Sequence, residues 1–210
     1  MSRILIACEY SGTVREAFKA KGYDAWSCDL LPTEIPGNHY QCDVLDVLNE
    51  GWDMMIAHPP CTYLTISANK WYKDQPERKS GTLVGAARRH ARQQAIDFFI
   101  GIYNAPIPKI CIENPIGIMS TAFRKPDQVI QPFMFGHPET KATCLWLKRL
   151  PPLCHYAHDD LFNSKTHVEL PHLKSEKERL HYLPPSSERW KIRSKTFQGI
   201  AEAMASQWSF

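Results

Sequence analysis

The sequence predicts an α/β domain built on a doubly wound, mostly parallel sheet, followed by a small irregular C-terminal region. Three observations predict it. A continuous apolar run at 4–8 reads as a buried parallel strand, and 23–28, 52–57 and 109–112 read as further strands. Segments of helical spacing alternate with them. Glu9, Asp29, Asp43, Cys61 and Glu113 all fall just after strand-like segments, where open α/β sheets bind ligands.

The elements follow in order. The run 4–8 is a first strand, broken by Ser11-Gly12. Val14, Ala17 and Phe18 among charges predict a helix from Val14 to Lys21, ended by Gly22. Tyr23 to Cys28 is a second strand with Asp29 at its end. Two prolines and a glycine make 30–41 a loop. Trp52 to Ala57 is a strand running into His58-Pro59-Pro60-Cys61. The polar, basic and aromatic stretch 62–83 predicts a mobile loop. Ala87, Ala91, Ala95, Phe98 and Phe99 predict a helix from Gly85 to Ile102, with Arg88, Arg89 and Arg92 on its other faces. Lys109 to Ile112 is a strand ending at Glu113-Asn114-Pro115. From Pro126 the pattern weakens. A strand at 142–147, irregular structure over 151–185 and a last helix over 197–208 are expected.

Composition narrows the function classes. The 210 residues are 43% hydrophobic and 22% charged, which is ordinary globular composition. A net charge of +3 allows nucleic acid without announcing it. Seven cysteines with no C-x-x-C pair argue against a disulfide scaffold and for a reducing, cytoplasmic setting. No stretch approaches membrane-spanning length, so no membrane partner is expected.

Two motifs carry chemistry. In Pro59-Pro60-Cys61 each proline fixes its own φ and restricts the residue before it, so the turn can hold a thiol rigidly at a strand end. A buried, inert cysteine is the alternative. In Glu113-Asn114-Pro115 an acid at the end of a buried strand is a candidate catalytic acid of raised pKa, or a cap.

The order and spacing of these two motifs resemble the DNA cytosine-5 methyltransferase family. The resemblance covers most of residues 3–150 and a piece near 194–208. It implies a Rossmann-like class I methyltransferase fold and S-adenosylmethionine as cofactor. It makes Cys61 the nucleophile and Glu113 the acid that pairs with cytosine, with Asn114 beside it. Glu9-Tyr10-Ser11-Gly12 matches the first cofactor turn, Asp29 and Leu30 the ribose end, and Asp43 and Val44 the adenine end; Pro59 completes that set. Pro60, Thr65, Trp71, Lys141 and Thr143 fall in substrate-contacting positions. Thr196 to Ala201 resembles the last motif, whose helix packs back beside the cofactor strand. His58 can assist the thiol or serve as a loop contact.

The chain departs from the family pattern in three places. The glycine-rich turn is reduced to Gly12. The Gln-x-Arg-x-Arg strand is absent, its nearest counterpart being Thr140 to Thr143. Between a catalytic domain over 1–150 and a C-terminal helix over 194–210, only a short segment, 151–193, stands where a target-recognition domain is usual. Relaxed specificity for duplex or single-stranded DNA, or a specificity-providing protein partner, follows from that shortness. The loop 67–83 and the basic segment 165–195 would then meet phosphates, and Trp71 and Tyr72 would stack on bases or form ordinary surface. The lone architecture suits a phage or prophage setting. Two other readings stay open: action on a free cytosine nucleotide, and a catalytically silent binding protein. Cys154, His155, His158, His167 and His172 lack the paired cysteines of a zinc site, and no metal is expected.

Overall fold

The computed structural model describes residues 1–155 and 168–208. Seven strands form one sheet: β1 (Arg3–Ala7), β2 (Asp24–Asp29), β3 (His39–Gln41), β4 (Met54–Ala57), β5 (Lys109–Pro115), β6 (Gln128–Ile130) and β7 (Thr143–Lys148). Their order is β3-β2-β1-β4-β5-β7-β6, and only β7 runs against its neighbours. The fold is the doubly wound, Rossmann-like α/β arrangement that the sequence predicts.

The central strands are largely apolar because both faces of the sheet are covered. Leu5, Ala7, Met55, Ala57, Ile110, Ile112 and Trp146 point to one side. There they meet Ile96, Phe99 and Ile102 of α2 (Gly85–Tyr103). Ile4, Ile6, Met54, Ile56, Cys111 and Leu145 point to the other side. There they meet Val14, Ala17 and Phe18 of α1 (Thr13–Ala20), and Ile200, Ala201 and Met204 of the C-terminal helix (Gln198–Gln207). Each of the buried Val, Leu, Ile, Phe and Met side chains among them contributes about 1.5–3 kcal/mol on burial.

Two expectations are corrected, and a strand the sequence did not show appears. The presumed loop 30–41 contains edge strand β3, too short to show a period. β6 is likewise a three-residue edge strand. Over 151–185, short helices at Lys174–Lys177 (α4) and Arg179–Tyr182 (α5) replace purely irregular chain, and α6 (Arg189–Ser194) follows. A further short helix, α3 (Met119–Ala122), follows β5, and the helix Gln198–Gln207 is α7. Among the described residues no helix is long and apolar enough to cross a membrane.

Candidate active site

The site forms where the sheet reverses its winding. β1 leads through α1 to β2 on one side, and β4 leads through α2 to β5 on the other. The chains leaving β1 and β4 therefore diverge, and a crevice opens between their carboxyl ends. Residues 8–11, His58 and Pro60 line it.

The turn after β1 is unusual. Cys8 adopts φ 57°, a left-handed conformation uncommon outside glycine. It bends the chain so that Glu9 points back under α1. The Glu9 carboxylate accepts from the backbone N–H of Val14 (2.7 Å) and Arg15 (3.2 Å) and from Ser11 Oγ (3.1 Å). Gly12, at φ 76°, caps the helix without a side chain, so Glu9 supplies the missing acceptor. Burial pushes the Glu9 carboxyl up, while the nearby His58 and these N–H bonds draw it back. Arg15 is fully buried and donates to Ser27 Oγ (2.9 Å), to Thr33 Oγ1 (3.1 Å) and to the Ile35 carbonyl. It fastens the loop 30–38 to the sheet. A Cβ on Gly37 would strike its guanidinium.

Two clefts open here and meet at Cys8. The larger, about 560 Å³, is lined by Asp29, Leu30, Asp43, Val44 and Pro60, with Phe98 and three cysteines behind them. Asp29 and Asp43 each accept a backbone N–H two residues on, from Leu31 (2.9 Å) and Leu45 (3.0 Å). The Asp29 carboxyl is raised by burial, against the N–H groups of Leu31 and Leu30 and against His39. The smaller cleft, about 300 Å³, is lined by Glu9, Tyr10, Ser11 and His58, with Ser194 to Thr196 opposite. Tyr10 Oη donates to the Lys191 carbonyl (2.9 Å), and Lys195 pairs with Glu34 (2.5 Å). The C-terminal segment is thereby tied across the crevice.

The Pro59-Pro60-Cys61 turn is held from β5. Pro59 and Pro60 carry no N–H, so the turn lacks its own backbone donors at both positions. Asn114, buried at the end of β5, donates its Nδ2 to the Pro59 carbonyl at 2.8 Å. The Leu64 and Thr65 N–H groups close the turn onto the Cys61 carbonyl, both at 3.0 Å. Ile118 N–H then bonds the Leu64 carbonyl, and at Gly117 any Cβ would run into that carbonyl. Cys61 itself is exposed.

Glu113 lies beside it, its side chain 16% exposed. His58 Nδ1 is 3.2 Å from Glu113 Oε2. Burial raises the Glu113 carboxyl, yet His58, Lys141 and Thr143 together hold it below its ordinary value. The expectation of a raised pKa is thus corrected, because three neighbours favour the charged form. Desolvation and the Glu113 charge push the Cys61 thiol up, against Lys141 and Arg193. Lys141 Nζ reaches the Lys195 carbonyl (3.4 Å), and Thr143 is buried on β7.

The structure therefore brings Cys61, Glu113, Asn114, Lys141 and Thr143 to one place. It gathers Asp29, Leu30, Asp43 and Val44 in the larger cleft, and Glu9, Tyr10 and Ser11 in the smaller. Pro60, expected to meet substrate, lines the larger cleft. Pro59 acts through its carbonyl, and Thr65 bridges to Gly117. Trp71 sits on a short 3₁₀ turn (Ile66–Tyr72) with Arg78 and Lys70 over its ring. The stretch 62–83, expected to be mobile, is fastened to α2 by Arg88, Arg89 and Arg92, which donate to the Thr62, Tyr72 and Tyr63 carbonyls. Arg92 stacks on Tyr72 at 3.3 Å. His158 and His167 lie outside the described residues. Sequence reasoning missed Arg15 and the bond from His58 to Glu113, since neither pairing has a local spacing signal.

No protein-family model matches the chain, and no curated protein matches it. Solved structures do. One is described as a prophage-encoded DNA modification methyltransferase of E. coli, at 15% identity and a TM-score of 0.46 over 82% of this chain. Another is a triple mutant of Spodoptera frugiperda DNMT2, at 12% identity and a TM-score of 0.45 over 80% of this chain. The chain spans 56% and 57% of their lengths.

Proposed function

We propose that this protein is an S-adenosylmethionine-dependent DNA cytosine-5 methyltransferase of relaxed sequence specificity. One observation carries the reading: the Asn114–Pro59 bond fixes an exposed cysteine turn beside a strand-end glutamate, at the point where the sheet reverses. The sequence resemblance predicts that pair of residues in those roles.

The adjoining clefts fit an elongated cofactor with a polar amino-acid end and a nucleoside end. Asp29 and Asp43 offer carboxylates for hydroxyl and amino groups in the larger cleft, and Glu9, Ser11 and His58 line the smaller. Bound there, S-adenosylmethionine supplies an electrophilic methyl group. The chain's own residues do the rest. The Cys61 thiolate adds to carbon 6 of cytosine, and the ring double-bond pair becomes nucleophilic at carbon 5. Glu113, protonated, donates to ring nitrogen 3 and stabilises the charge that develops there. After methylation a base removes the carbon-5 proton, the double bond re-forms, and the thiolate leaves. Lys141, Arg193 and Lys195 place positive charge near the crevice for phosphates.

The test supplies labelled S-adenosylmethionine with duplex DNA, single-stranded DNA or dCMP, for wild type and Cys61→Ser. The reading expects 5-methylcytosine in a polymer and none with the variant. Label in dCMP alone would make it a nucleotide enzyme. No label anywhere would favour a silent binding protein.

A further inference from the structure

The proposed chemistry needs a proton on Glu113, yet the structure holds that carboxyl below its ordinary value. Something must deliver the proton. His58 is placed to do so. Its side chain is only 8% exposed. Nδ1 faces Glu113 Oε2 at 3.2 Å, while the buried Nε2 has no hydrogen-bond partner and the residue lines the smaller cleft. A buried ring nitrogen left unpaired costs about 1–3 kcal/mol, so its orientation calls for a partner from the cleft. The sequence position is also specific. His58 is the first residue after β4, and its N–H bonds the Ala7 carbonyl at 2.9 Å, which fixes the ring between the two sites.

We infer that His58 is a positioning residue that relays a proton from the smaller cleft to Glu113. The inference rests on the cytosine-5 reading. A proton enters at Nε2, and the proton on Nδ1 passes to Glu113 Oε2. Glu113 then donates to the cytosine ring nitrogen. When the thiolate leaves, the same proton returns, so one proton enters and one is recovered and nothing is oxidised. The groups facing the ring are few. Glu9 lies on the turn after β1, Glu113 on β5, and Lys141 ahead of β7, with Cys8 and Lys195 along the cleft. Glu113 faces Nδ1, and Glu9 shares the smaller cleft with the ring and feels its charge, which suits a site that passes positive charge from one nitrogen to the other.

The test is His58→Asn, which keeps an N–H near the Nδ1 position but cannot carry a proton through. In the free protein, the Glu113 carboxyl is titrated by carbon-13 NMR. Its midpoint should rise by about one pH unit in the variant, since the removable charge beside it is gone. With DNA, kcat at pH 7 should fall about 100-fold while KM stays within about threefold. The loss should shrink toward pH 5.5, where bulk water can protonate Glu113 directly. An unmoved midpoint, or an unchanged kcat across pH 5.5–8, would overturn the relay. If wild type transfers no methyl group, the cytosine-5 reading fails, and the titration alone still decides whether His58 sets the Glu113 proton.

Discussion

Asn114→Ala separates positioning from stability at this site. The wild-type amide makes one bond, Nδ2 to the Pro59 carbonyl at 2.8 Å, and its Oδ1 is buried with no partner. Truncation leaves the Pro59 carbonyl unpaired, a cost of about 1–3 kcal/mol. It also deletes an unpaired acceptor whose burial costs a similar amount. The two nearly cancel, so the net loss should stay under about 2 kcal/mol. For a chain of this size that is a fall in Tm of at most about 8 °C. Activity should respond far more. The Cys61 turn would lose the Asn114 side-chain tether from β5, and a displacement of about 1 Å at a reacting atom costs about 100-fold. Thermal melts and single-turnover methyl transfer at 20 °C, where both proteins are folded, measure the two effects apart. A kcat within about threefold of wild type would refute the claim that this bond positions the nucleophile.

Other perturbations follow from the same geometry. Cys61→Ser should leave Tm within about 2 °C, because the residue is exposed, and should abolish transfer completely. Asp29→Ala should weaken S-adenosylmethionine binding about tenfold by calorimetry, as expected for one charged hydrogen bond of about 1.5–3 kcal/mol; unchanged affinity would remove Asp29 from the cofactor site. Glu113→Gln should alter the acid limb of stability. The folded carboxyl lies below its ordinary 4.5, so its contribution is present above about pH 4.5 and is lost as pH falls through the folded value. Wild-type Tm should therefore drop more steeply with acid than the variant's, and parallel curves would contradict the sign. Mass-mapped alkylation at pH 8 should mark Cys154 and Cys61 well before Cys28, whose thiol burial and Cys42 push up to about 12.

Much of this was legible in the sequence, for a physical reason. Strands buried on both faces must be continuously apolar, so β1, β4 and β5 announced themselves, and the residues just past them had to border the crevice. β3 and β6 were hidden because three residues at a sheet edge need no period and little burial. The contacts that hold 62–83 were hidden for a different reason. Its composition is that of a solvated loop, but its order comes from Arg88, Arg89 and Arg92 reaching back from α2, and those contacts span 17 to 29 residues. Glu9 was legible as a site residue but not as the acceptor for α1, since capping residues normally adjoin the helix they cap.

The charge balance at the centre explains why the thiol can be quiet at rest and reactive on demand. The Glu113 charge opposes ionisation of Cys61, because two negative charges in a half-desolvated crevice repel. With Glu113 ionised, held so by His58, Lys141 and Thr143, the thiol keeps its proton. A base whose ring nitrogen draws a proton onto Glu113 removes that charge, and Cys61 can then ionise with Lys141 and Arg193 nearby. On the proposed cytosine-5 reading, arrival of the ring would thus activate Cys61 for its attack. The same logic predicts that Glu113→Gln lowers the Cys61 thiol pKa in the free protein while destroying turnover. The rate of iodoacetamide labelling at Cys61 against pH measures the first, and a labelling curve identical to wild type would break the link between the two residues.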